Sequence, residues 1–269
     1  MKNIFEELKP FGFGNLEKLE IFTSHQEKEK KNEGKHVNKC TVEEILYDKS
    51  YVCPVCNNQF KAKTIRSGKN RLMTVDLDLR PVYDIVNPLI YEPIVCEKCG
   101  YSALAKNFNT LSTMQMRWIK EQICANYKAH HFSTILTPQE AIYKYKLVLL
   151  NAVVKKAKDG EKAYICLKTA WLYRDLGDEE NEKIFLNHAL TGFLNAYNKE
   201  RFPIFELGEL TVAYIIAELY RRFKEYDKAL QWISCVILDR GVTLRLKTKA
   251  LHLKSVIREE RDKAKEKQS

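Results

Sequence analysis

Cys53-Pro54-Val55-Cys56 and, 39 residues further on, Cys96-Glu97-Lys98-Cys99 are the stretches from which the rest of the chain can be read. A Cys-x-x-Cys turn presents two thiols to one ion, and two such turns assemble a tetrahedron of soft sulfur ligands that suits Zn2+. Pro54 stiffens the first turn, Phe60 supplies a ring to pack beneath it, and Gly100 follows the last cysteine, where the turn needs a residue free of Cβ clashes. Four thiolates close the coordination sphere. The expected cofactor is therefore one structural Zn2+, held by Cys53, Cys56, Cys96 and Cys99, whose binding energy is folding energy. Two other chemistries use such cysteines. A redox dithiol needs a thioredoxin-like βαβ context that the flanks lack, whereas an iron–sulfur cluster draws on the same four ligands and stays open.

Around these turns the pattern is that of a small sheet. Phe60, Ala62, Thr64 and Arg66 alternate with Lys61, Lys63 and Ile65, the Ser67-Gly68-Lys69-Asn70 cluster turns the chain, and residues 72–79 read as a returning strand. Residues 91–95, interrupted by Pro93, suit an edge strand leading into the second cysteine pair.

Past Ser112 the apolar spacing turns helical. Thr137-Pro138-Gln139-Glu140 is a capping box with Pro at the first helical position, opening a helix to about Lys158 that can end at a left-handed Gly160. Further helices are expected over 161–176, stopping at Gly177, then over 178–197, 205–223 and 227–238, with a last one beyond Gly241. Laid on itself with an offset of 47, this half repeats: Ala170, Leu172, Tyr173 and Arg174 fall on Ala217, Leu219, Tyr220 and Arg221. Small and large apolar residues recur as in the tetratricopeptide repeat, although that repeat has a period of about 34 and Lys224 stands where the first unit has Gly177. The expected fold class is α+β, mostly α, with a small zinc-ribbon β module followed by a tetratricopeptide-like stack of antiparallel helix pairs.

The expected organisation is a short helical segment at 1–22, a polar linker at 23–40, the zinc-ribbon module at 41–110, the helical domain at 111–260 and a charged tail at 261–269. Lys2, Glu6 and Glu7 break the apolar character of the opening residues, so a signal peptide is not expected. No run approaches the roughly 18 apolar residues that span a bilayer. Together with cysteines that mostly stand singly outside the two pairs, this sets a cytoplasmic expectation. The formal net charge of +10 is concentrated in the cysteine region, the helix after it and the C-terminal tail; such a field can attract nucleic acid or an acidic partner and equally serves solubility.

The segment from Cys53 to Tyr101, with Phe60, Asp76-Leu77-Asp78, Pro81, Tyr83, Asn87-Pro88 and Tyr91 between its cysteine pairs, resembles an uncharacterised bacterial family, domain of unknown function 2225. The resemblance runs from about Thr41 onward. It implies a zinc ribbon joined to a tetratricopeptide-like helical region and supplies no activity.

Asp76, Asp78, Tyr83, Asn87 and Tyr91 form a dense polar and aromatic group that suits a recognition surface, or turns capped by Asp and Asn. The two aspartates are the sole candidates for acid–base work, and no partner base or nucleophile accompanies them, so an enzyme is the least favoured reading. Arg174, Arg221 and Arg222 can line the concave face that stacked helices create and pair with an acidic peptide. The function expected is a cytoplasmic interaction or scaffold protein, without a membrane or small-molecule substrate, that binds another protein through its helical repeat. The alternative is a nucleic-acid-binding protein using the ribbon and the basic segments.

Overall fold

The computed structural model describes residues 41–266; the readings for 1–22 and 23–40 fall outside these residues. Helix accounts for 57% and strand for 13%, so the chain is α+β, mostly α. After a single turn, α1 (Val42–Ile45), strand β1 (Leu46–Val52) pairs antiparallel with β2 (Gln59–Ile65) across the first cysteine turn, with Tyr51 opposite Phe60. Strand β3 (Leu72–Val75) pairs with β4 (Pro81–Tyr83), and β5 (Pro93–Val95) pairs with β6 (Ser102–Leu104) across the second turn. Three separate two-stranded ribbons thus replace one sheet.

Two strand readings need correction. The strand read over 72–79 stops at Val75, because residues 76–80 close a turn in which the Leu79 N–H donates to the Asp76 carbonyl at 3.0 Å. Residues 91–95 are not one strand either. Asn87 caps a short 3-10 turn, Pro88–Tyr91, and the extended chain begins only at Pro93.

The helical part opens with α2 (Thr113–Ile119), capped by a Ser112–Gln115 box, and runs on through one π-type turn, Lys120–Cys124. Then come α3 (Pro138–Val154), α4 (Asp159–Asp175), α5 (Glu179–Lys199), α6 (Glu209–Arg222), α7 (Tyr226–Leu238) and α8 (Leu244–Glu266), each packed on the next. The Thr137–Glu140 box forms as read. Gly177 also behaves as read: at φ 71° it lets its N–H reach the Arg174 carbonyl and the Asp178 N–H reach that of Tyr173, both at 3.0 Å. Gly160 does not. The preceding helix already ends at Val154, with Lys156 at φ 53°, and Gly160 lies in the first turn of α4 because a Cβ there would stand 2.0 Å from the Ile204 methyl. The helix read from residue 205 starts at Glu209 after the N-cap Gly208, since residues 204–207 fold into a tight loop bridged between Ile204 and Leu207.

The main core lies between α3 and α8 and includes Leu89 and Leu104 from the ribbon region. A second cluster surrounds the cysteines, where Tyr51 and Phe60 meet the Phe108 ring edge-on and Tyr101 meets it at a tilt.

Candidate metal centre

Each cysteine turn is built by its own backbone bonds. In the first, the Cys53 carbonyl accepts from the Asn57 N–H and the Cys53 N–H donates to Asn58, both at 2.9 Å; in the second, the Cys96 carbonyl accepts from Gly100 at 2.8 Å and the Cys96 N–H donates to Tyr101 at 2.9 Å. The residue after each pair has positive φ, 59° at Asn57 and 76° at Gly100. At Gly100 the need is also steric, because a Cβ would fall 2.4 Å from the Tyr127 ring.

These turns bring the four sulfurs within 4.8 Å of one another. Cys53 Sγ lies 3.6 Å from Cys99 Sγ, and Cys56 Sγ lies 3.7 Å from Cys96 Sγ. A tetrahedral ion with bonds of about 2.3 Å separates its sulfurs by about 3.8 Å, and a disulfide by only about 2.05 Å, so the cluster has the dimensions of a single-ion site. Cys53, Cys96 and Cys99 are buried and Cys56 is half-buried. The N–H groups of Val55 and Cys56 point at Cys53 Sγ, those of Lys98 and Cys99 at Cys96 Sγ, and the Asn58 amide stands 3.9 Å from Cys96 Sγ. Donors of this kind stabilise negative sulfur. Hydrogen bonding with Cys96 raises the Cys53 thiol, while bonds with Cys53 and Cys99 lower that of Cys96. The four cysteines can hold a metal ion.

Asp76, Asp78, Asn87 and Tyr91 are brought against the helical part or into its border. Asp78 is 0% exposed. Its carboxylate accepts from Trp171 Nε1 at 2.8 Å and Arg174 Nη2 at 2.6 Å, with Arg222 at 3.5 Å. Burial alone would raise its pKa, but the Arg174 bond and charge, the Arg222 charge and the Trp171 bond outweigh burial and hold it below the ordinary value. Asp76 pairs with Arg80 at 2.8 Å and Arg174 at 3.4 Å, and Asn87 donates to Asp175 at 2.7 Å. Tyr91 is buried beside Ile45, Val86 and Leu136, whereas Tyr83 is a half-buried β4 residue.

The three arginines read as an acceptor for an acidic peptide are engaged within the chain. Arg174 holds Asp78 and Glu182, Arg221 holds Glu218 and Glu260, and Arg222 bridges Glu182 and Glu218. Sequence reading missed Arg80, Glu182 and Glu218 as members of this network. Glu218 carried a signal, for it stands on a helix at the position 47 residues after Trp171, where the repeat calls for a buried side chain. Cys124 packs against the cysteine group, its thiol near that of Cys99, without being one of the four mutually close sulfurs, and His131 Nδ1 lies 2.7 Å from Glu97.

A mostly helical protein with a closed cluster of four cysteines able to hold a metal ion is the class that this fold and site define. More particularly, the chain belongs to a bacterial family described as an uncharacterized protein conserved in bacteria, domain of unknown function 2225, whose model matches residues 46–264. A protein of Borreliella burgdorferi, described as an uncharacterized protein, is 26% identical over 155 residues, a match covering 49% of this chain and 53% of that relative. The chain therefore spans about half the length of that relative. No solved structure matches it. Among the described residues no helix is long and apolar enough to cross a membrane.

Proposed function

We propose that this chain is a cytoplasmic interaction protein in which one Zn2+, bound by Cys53, Cys56, Cys96 and Cys99, fixes a ribbon against a tetratricopeptide-like stack that binds another protein. The observation that carries the reading is the closed cluster: four sulfurs, at separations of 3.6 and 3.7 Å in two pairs, leave no ligand position for water or substrate. Thiolates of a multi-iron cluster bind different irons and stand further apart, which favours a single ion.

The repeat is supported by equivalence in three dimensions. Ala170, Leu172 and Tyr173 are buried in α4, and Ala217, Leu219 and Tyr220 are buried in α6. Both helices end in the same hydrogen-bonded cap, Lys224 standing for Gly177 at φ 60°. Gly192 of α5 meets α4 so closely that a Cβ would lie 2.8 Å from the Ala163 Cβ, two small residues letting the helices of one pair approach tightly. A non-catalytic role is favoured by Asp78, whose carboxylate is sealed from solvent.

The nucleic-acid reading uses the ribbon and the basic segments of 53–160, and Arg245, Lys247 and Lys249 at the start of α8, which enter no ion pair among the described residues, add to that field. Elemental analysis of the purified chain tests the metal: one zinc per chain, lost together with folding of the 53–101 region in Cys96→Ser, is expected, and iron or no metal defeats it. Capture from the native bacterium with and without nuclease tests the partner. A polypeptide retained at high salt supports the proposal, and a nuclease-sensitive, steeply salt-dependent capture supports nucleic acid.

A further inference from the structure

Buried charges in this chain are answered almost everywhere. Asp78, Glu218, Lys155 and Lys168 each lie within bonding distance of opposite charge. Lys144 of α3 is different. It is 8% exposed, and among the described residues it makes neither a hydrogen bond nor an ion pair; its ammonium lies 5.4 Å from the centre of the Phe132 ring. The carboxylates whose charge reaches it are Glu97 and Glu140, and both are occupied. Glu97 takes His131 at 2.7 Å and the Phe132 N–H at 3.3 Å, while Glu140 takes the N–H groups of Ser133 and Thr137, each at 2.9 Å. An ammonium buried without a direct partner is unfavourable: burial holds Lys144 down to about 8 against the pull of Glu97 and Glu140, and an anion within bonding distance would offset that cost.

Lys144 lines a cavity of about 290 Å3 between β2, the second cysteine turn and residues 132–136. Phe60, Tyr91 and Phe132 border the cavity, but its lining is mostly polar, with the Thr134 hydroxyl and the further positive charge of Lys61 on the β2 side, where Lys63 is already paired with Asp48 at 3.0 Å. We propose that this cavity binds a small organic monocarboxylate, its carboxylate on Lys144 Nζ and its body between β2 and residues 132–136. A monoanion suits the site better than a phosphate dianion, because the negative charge of Glu97 and Glu140 penalises the second charge of the ligand.

The test is isothermal titration of the full-length, metal-loaded protein with benzoate, its neutral isostere benzamide, inorganic phosphate, and N-acetylglutamate N-methylamide as the side-chain carboxylate of a partner chain. Saturable one-to-one binding of benzoate or the glutamate derivative is expected, at least tenfold tighter than benzamide and tighter than phosphate. Benzoate favoured over the glutamate derivative assigns the site to free acids, and the reverse order assigns it to a partner's side chain. Lys144→Met should reduce carboxylate affinity at least tenfold while keeping the native circular dichroism spectrum. Benzamide binding as well as benzoate, phosphate binding more tightly than either carboxylate, undiminished binding in Lys144→Met, or no saturable carboxylate binding overturns the proposal. The benzamide and phosphate comparisons use the wild type, so they decide even if the variant does not fold.

Discussion

Asp78 shows how one carboxylate can tie two parts of a chain together. It leaves the β3–β4 turn and enters the helices, where Trp171, Arg174 and Arg222 surround it. Replacing one member of a buried pair strands the other, so Asp78→Asn should destabilise the fold by about 3–5 kcal/mol. Asp76→Ala, at a partly exposed pair, should cost under about 1 kcal/mol. Urea midpoints at neutral pH measure both, and equal midpoints for the two variants would remove Asp78 from its central place. The pH dependence follows from the direction of its shift. A carboxyl whose folded pKa lies below its unfolded value of about 3.9 contributes its stability above that value, and the contribution is lost as pH falls through the folded pKa. The wild type should therefore lose more stability than Asp78→Asn between about pH 5 and pH 3.

At the scale of elements, the caps of α4 and α6 make a controlled comparison. Gly177 and Lys224 hold the same left-handed position, and the N–H groups of Lys224 and Glu225 donate to Arg221 and Tyr220 as those of Gly177 and Asp178 do to Arg174 and Tyr173. A lysine there carries the strain of its Cβ. Lys224→Gly should stabilise the chain by about 1 kcal/mol, and Gly177→Lys should destabilise it by a similar amount, both read as shifts in thermal midpoint. Gly160→Ala belongs to a separate class. Its Cβ would collide with the Ile204 Cγ2 methyl, so a loss of about 1–3 kcal/mol is expected, with recovery in the Gly160→Ala, Ile204→Leu double variant, which removes that methyl at similar volume. These positions also show which features were legible in advance. The cysteine turns, the Thr137 box and the Gly177 cap are local, with donors and acceptors within a few residues, so spacing reveals them. Gly160 was read as a terminator because the Ile204 methyl that requires it arrives from 44 residues away, and Asp78 meets Trp171 across 93 residues, a pairing that no local pattern encodes.

At the scale of the whole molecule, the insertion between the cysteine pairs is held in two independent ways. The cluster pins its ends at Cys56 and Cys96. Its middle is pinned to helices instead, through Asp78 on Arg174, Asn87 on Asp175, and Glu92 on Lys168 and Tyr145. The two sets share no residue, and the cysteines pack in a cluster separate from the main helical core. Chelation of the metal should accordingly open amides near Cys53–Phe60 and Cys96–Tyr101 to hydrogen exchange while residues 72–91 stay protected and helical ellipticity falls little. The end of α3 is the expected exception. The Asn151 side chain donates to the Gly100 carbonyl at 3.1 Å and to Ser102 at 2.8 Å, so a loosened turn unties the last two turns of that helix. Exchange spreading evenly through all the helices on chelation would mean that the ion-pair anchors hold nothing without the metal, making the cluster the foundation of the fold rather than a clasp on one edge of it.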